Sequence, residues 1–153
     1  MASSVEQLTW AAGFFDGEGT VYIYSHSSSH RYRYLAISVS QRDPRPLLVF
    51  RELFGGSIHR HEHTRGVEAD IWKWEVRNRL AGAALVQLLP YLLLKREQAE
   101  LAIAYQDLLK QRERNVGLSD SEVDVRRAIE DKIKFLNRKG REASVTELPC
   151  GVN

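Results

Sequence analysis

The chain of 153 residues carries a single cysteine, Cys150, near its C-terminus. One thiol cannot close an internal disulfide, so the fold must rest on its apolar core, and a reducing, intracellular setting is expected. Long apolar runs are missing as well. Residues 91–94 form a short one, well below the roughly 20 residues that span a bilayer, so no membrane partner is expected. The N-terminus lacks a basic segment followed by an apolar stretch, which argues against a secretory signal. An excess of one charge sign is also absent. The formal net charge is only +2, so the chain as a whole is not a polycation.

What is present is an ordinary globular composition, 43% hydrophobic and 27% charged, and a length suited to one compact domain. The positive charge is unevenly placed. Residues 20–79 hold ten Lys or Arg against six Asp or Glu, and all five histidines fall there too. A surface that binds nucleic acid needs such a concentration, although a solvated surface can also show it.

Residues 4–15 are predicted to be a helix, with Ser4 as its cap and Leu8, Ala11 and Phe15 at helical spacing. Gly17 and Gly19 are expected to break it. The alternation of Val21 and Ile23 with Tyr22, Tyr24 and His26 predicts a strand with one apolar and one polar-aromatic face. Leu35, Ile37 and Val39 alternate with Tyr34, Ser38 and Ser40 in the returning strand. Asp43 and Pro44 open a second helix that ends at Gly55 and Gly56. A second hairpin is expected over residues 57–63 and 69–77, then helices over 78–89, 94–112 and 119–137. Residues 1–137 are read as one domain and 138–153 as a flexible tail. The order predicts an α+β domain: a four-stranded antiparallel sheet with helices on one face and the other face open.

The segment Ala11, Ala12, Gly13, Phe14, Phe15, Asp16, Gly17, Glu18, Gly19, Thr20 stands out. Thr9, Ala12, Gly13 and Asp16 are read as one helical face of mostly small side chains, which would let a second helix backbone come close. Glu18 lies between two glycines, and a carboxylate so placed suits a hard cation such as Mg²⁺. This segment resembles the motif that names the LAGLIDADG homing endonucleases, with Ala11 in place of the usual leucine and Glu18 where many members have Asp. The resemblance runs from about Leu8 to Leu109. Gln41 and Arg45, in the run Ser40, Gln41, Arg42, Asp43, Pro44, Arg45, match the family's polar and basic residues near the metals. Lys95, five residues after Pro90, matches its lysine thought to assist the reaction.

The resemblance implies the αββαββα fold of that family and a site-specific DNA endonuclease that uses Mg²⁺, with Mn²⁺ able to substitute. Glu18 and the Gly17 carbonyl would hold metal, with Gln41, Arg45 and Lys95 as further catalytic residues. The chain holds one copy of the motif, which in this family implies a homodimer that meets its own copy through Thr9, Ala12, Gly13 and Asp16 and cuts a long pseudo-palindromic duplex. No small-molecule substrate is expected. The open sheet face would read the major groove, which admits a two-stranded ribbon. Tyr22, Tyr24, His26, Tyr32, Tyr34, Ser38 and Ser40 are candidates from the first hairpin, and His59, His61, Asp70 and Trp72 from the second. Alternation alone leaves open which face of the second hairpin is exposed, since Trp72 and Trp74 share one. Arg31, Arg33 and Arg65, near the hairpin tips, are candidates for phosphate contacts.

Two other readings compete. His59, His61 and His63 share a strand face, as zinc ligands could, yet no cysteine or fourth ligand stands near them. A non-catalytic DNA or RNA binder, a maturase or regulator on the same scaffold, would also need the basic sheet. Retention of Glu18, Gln41 and Lys95 favours the enzyme.

Overall fold

The computed structural model describes residues 4–25, 31–61, 71–110 and 117–142. Helix α1, Val5–Glu18, starts with a capping box: the Ser4 hydroxyl accepts the Gln7 backbone N–H at 3.1 Å, and the Gln7 side chain accepts that of Ser4 at 3.0 Å. It does not stop before Gly17 as expected but continues through Gly17 and Glu18. A glycine lowers helix propensity without forbidding the helix, and tertiary packing decides. Gly19 is where the chain turns extended. Its φ of −76° is open to any residue, so glycine serves here for close approach. A Cβ at Gly19 would lie 2.3 Å from the ring of buried Phe15.

Strands β1, Gly19–Tyr24, and β2, Tyr34–Gln41, form the first hairpin. Helix α2, Arg45–Phe54, follows, begun by the Asp43 carboxylate accepting the Arg45 N–H at 2.9 Å. Gly55 and Gly56 end it with φ of 73° and 87°, the left-handed region that favours glycine. Strands β3, Ser57–His61, and β4, Ile71–Arg77, come next. Helix α3, Asn78–Leu88, runs into a single 3-10 turn at Leu89–Tyr91 around Pro90. Helices α4, Arg96–Lys110, and α5, Asp120–Glu142, complete the domain. Loss of periodicity predicts the end of α5 at Asn137, but its backbone stays helical five residues longer.

The sheet order is β1-β2-β4-β3, antiparallel throughout. The register sets the faces. Val21 opposes Ile37, Val39 opposes Trp74, and Ile58 also opposes Trp74, so these side chains share the face that meets the helices. Val21, Leu35, Ile37 and Trp74 are fully buried there with Phe15, Phe50, Leu85 and Leu88 from the helices. The Trp74 indole N–H donates to the Gly55 carbonyl at 2.8 Å, which satisfies its one polar atom. The fold is thus the expected α+β arrangement, with helices on one side of a four-stranded antiparallel sheet.

Candidate active site and nucleic-acid interface

The C-terminal end of α1 carries the chemistry-bearing groups. Glu18 is the last helical residue, and both it and Gly17 are exposed. Asp16, two residues earlier on the other side of the helix, is only 8% exposed. Its carboxylate accepts the backbone N–H groups of Leu93, Leu94 and Lys95 at 2.7, 3.2 and 2.9 Å. The segment that leads into α4 is thereby tied to α1, and the Lys95 side chain is set beside it. The Lys95 ammonium donates to the Asp16 carbonyl, one of the carbonyls left free at a helix C-terminus, where the helix dipole favours a cation. Burial pulls the Lys95 pKa below the usual lysine value, and the charges of Asp16 and Glu18 oppose that fall without cancelling it.

Gly19 pairs with Val39 across the first hairpin, so the end of α1 lies at the C-terminal end of β2, where Gln41 stands half-buried opposite Trp72. Arg45 is exposed, and its guanidinium Nε lies 3.0 and 2.9 Å from the two Asp43 oxygens. That contact holds the Asp43 carboxyl down to about 2. The structure therefore brings Glu18 and Lys95 together, puts Gln41 at the same end of the sheet, and turns Arg45 towards Asp43.

The open sheet face is a connected polar-aromatic surface. Tyr22 and Tyr24 lie with ring centroids 6.3 Å apart, and Tyr24 and Tyr34 6.0 Å apart. At its centre Glu75, 7% exposed, receives hydrogen bonds from Tyr22 and ion pairs from Lys73 at 2.6 Å and Arg77 at 2.5 Å. Burial pushes the Glu75 carboxyl up, but the hydrogen bonds from Lys73, Tyr22 and Arg77 outweigh it and bring the pKa down to about 2. Lys73 and Arg77 each sit 5.1 Å from a tyrosine ring centroid, over Tyr22 and Tyr24. Sequence reading passes over Lys73, Glu75 and Arg77. Their every-second spacing along β4 was the available signal, but it needed the register to assign a face.

Ser40 and His59 are exposed on this side, and the Ser57 hydroxyl lies 2.8 Å from His59 Nε2. Tyr32 is exposed just before β2. Ser38 lies on the open side but is 5% exposed, opposite both Thr20 and Glu75, so its neighbours cover it. Trp72 does not face outward. It opposes Gln41 and Arg60 on the helix side and packs against the core, because an indole at that register finds apolar neighbours only there. Arg31 and Arg33 are also not free phosphate contacts. Arg31 donates to the Leu118 carbonyl and pairs with Asp120 at 3.3 Å, while Arg33 meets Glu130 at 2.6 Å. His61 is described only as backbone of β3, and His26, His63, Arg65 and Asp70 lie outside the described residues.

The four residues expected at a helix–helix contact divide. Thr9 and Gly13 are exposed, whereas Ala12 and Asp16 are buried within this chain. The helix turns about 100° per residue, so positions 9, 13 and 17 form the outer line and 12 and 16 turn inward. A Cβ built at Gly13 or Gly17 meets nothing within 4 Å. Among the described residues no helix is long and apolar enough to cross a membrane.

No family model matches the chain, and no curated protein matches it. Solved structures do. The homing endonuclease I-CvuI, in complex with its target in the presence of 2 mM Ca, is 23% identical with a TM-score of 0.67, over 86% of this chain and 82% of that one. The homing endonuclease I-TnaI is 18% identical with a TM-score of 0.63, over 93% and 99% of the two chains. The LAGLIDADG homing endonuclease I-SmaMI, bound to cleaved DNA, is 17% identical with a TM-score of 0.60; 99% of this chain matches 53% of that one. With the element order, sheet topology and motif helix described above, these likenesses lead to one conclusion: the chain has the fold of the LAGLIDADG homing endonucleases.

Proposed function

We propose that the chain is a sequence-specific double-strand DNA endonuclease that acts as a homodimer on a long pseudo-palindromic site by divalent-metal-dependent phosphodiester hydrolysis. The observation that carries this reading is the exposed Glu18 carboxylate at the end of α1 with the Lys95 ammonium held beside it. Both stand at the end of an open polar-aromatic sheet.

The donor set fits Mg²⁺. Glu18 offers hard carboxylate oxygens, the Gly17 carbonyl lies beside it on the exposed side, and the helix terminus adds a negative dipole. One chain supplies one such carboxylate here, and a six-coordinate cation takes more oxygens, so Glu18 from a second copy and oxygens of the DNA phosphate complete the set. When bound, the metal supplies Lewis-acid activation of water and stabilises the leaving oxygen. The chain's own residues then act around it. Lys95, fixed by Asp16, places a positive charge against the scissile phosphate. Gln41 at the end of β2 and Arg45 at the start of α2 position the water network around the metal. Tyr22, Tyr24, Tyr34, His59 and the Lys73–Glu75–Arg77 row read base edges in the major groove. The line of Thr9, Gly13 and Gly17 on the outside of α1, empty in front of both glycines, supports pairing with a second α1 about a two-fold axis.

The test is cleavage of a randomised duplex library with Mg²⁺ by the wild-type chain and by Glu18→Gln. Cuts on both strands at a long pseudo-palindrome, lost in the variant while binding remains, are expected. Selective retention of DNA without cutting by either protein would replace the enzyme with a binder on the same fold.

A further inference from the structure

Away from the end of α1 that carries Glu18, four arginines converge. Arg31 and Arg33 lead into β2, and Arg126 and Arg127 lie in the second turn of α5. Together with Tyr105 of α4 and Val123 they line a shallow, solvent-open surface depression. Two acids answer this charge, and both are engaged. Asp120 pairs with Arg31. Glu130, 4% exposed, is shared between Arg33 and Lys134 at 2.6 Å each. The Arg33 contact also lacks an aligned hydrogen bond at Nε among the described residues.

Arg126 is left over. It is 7% exposed, and among the described residues no hydrogen bond or ion pair is made by its guanidinium. Its guanidinium nitrogens are not among the fully buried polar atoms without partners, so the group keeps contact with solvent and an anion can reach it. Planar forked donors on more than one arginine match the oxygens of a phosphate group.

We propose that this depression is a phosphate-binding pocket, with Arg126 as its buried anchor and Arg127 at its rim. The phosphate can come from a phosphodiester of bound duplex or from a free phosphate ion. Arg33 stands eight residues from Gln41 along β2, or about 26 Å at roughly 3.3 Å per residue. A duplex backbone that curved round the edge of the sheet to this pocket would reach it about eight base pairs from the site of cutting, at roughly 3.4 Å per step. This duplex placement rests on the function proposed above, whereas the free-ion form does not.

Two measurements on the full chain separate the sources. In the first, thermal unfolding is followed in inorganic phosphate and in chloride at equal ionic strength. In the second, duplex affinity is measured across a salt series. Each is made for wild type, R126Q, R126K and R127Q. If free phosphate is the ligand, it raises the wild-type Tm, R126Q loses that rise or needs at least about ten-fold more phosphate, and R126K keeps part of it. If a backbone phosphodiester is the ligand, the slope of log Kobs against log salt falls by about one in R126Q and R127Q. Should R126Q fail to fold, R127Q at the exposed rim and the charge-preserving R126K still report. The proposal is overturned if phosphate gives no rise beyond chloride and the duplex slope of every variant matches wild type. A chain that binds no duplex but shows the phosphate effect would refute the endonuclease reading and leave the pocket standing.

Discussion

At the scale of the residue, protonation and reach decide function. Lys95 owes its lowered pKa first to burial, so it sheds its proton at a lower pH than an exposed lysine. If the charged form assists cleavage, the rate declines on the alkaline side earlier than the ordinary lysine value of 10.5 implies. Lys95→Arg should move that limb upward, and Lys95→Met should slow single-turnover cleavage about 10²–10³-fold while duplex binding persists. A pH–rate profile unchanged by Lys95→Arg would remove Lys95 from the mechanism. Glu75 gives a second titration. Its folded pKa of about 2 lies below its ordinary 4.5. The stabilisation is thus fully present above about pH 4.5 and is lost as pH falls from there towards 2. Urea unfolding of wild type and Glu75→Gln across that range should show a gap that closes at the acid end.

At the scale of the element, the junction between α1 and the start of α4 is the critical one. Asp16 accepts three backbone N–H groups there. Asp16→Ala removes the acceptor from all three part-buried amides and should cost about 1–3 kcal/mol of stability by denaturant unfolding. Cleavage should fall further than the lost stability explains, because Lys95 is no longer held. Gly19→Ala forces a Cβ into the Phe15 ring and carbonyl, so it should separate α1 from β1 and lower the Tm, while Gly17→Ala leaves the isolated chain as stable as before. The Ser4 cap, the tyrosine alternation in β1 and the glycine stop after α2 were all legible in the sequence, since each depends on residues within a few positions. The continuation of α1 past Phe15 was not, because the contacts that hold its last turn come from Leu93, Leu94 and Lys95.

For the whole molecule, the outer line of α1 predicts the assembly. Gly13→Arg should leave helicity intact, because a side chain there enters open space in the single chain. Sedimentation equilibrium should nevertheless show the variant as one chain where wild type is two, with cleavage of a pseudo-palindrome lost. A variant that stays paired would show that α1 is not the contact. Charge also looks different at this scale. The excess of basic residues in residues 20–79 is partly spent inside the fold, with Arg31 and Arg33 held by α5 and Lys73 and Arg77 by Glu75. The charge presented to a duplex is accordingly smaller than the count implies.

Sequence alone determined the element order, the α+β class, the apolar face of the first hairpin and the one glycine-flanked acidic residue that marks the candidate site. These follow from short-range periodicity and local backbone chemistry, which a chain expresses before it folds. Tertiary structure decided which side of the second hairpin Trp72 and Glu75 take, since a one-residue change of register exchanges the faces and only pairing sets it. It also decided that Ala12 and Asp16 turn inward while Thr9 and Gly13 stay outside. Helical spacing defines a face, but its neighbours come from segments about 80 residues further along the chain, and their packing selects which face is covered.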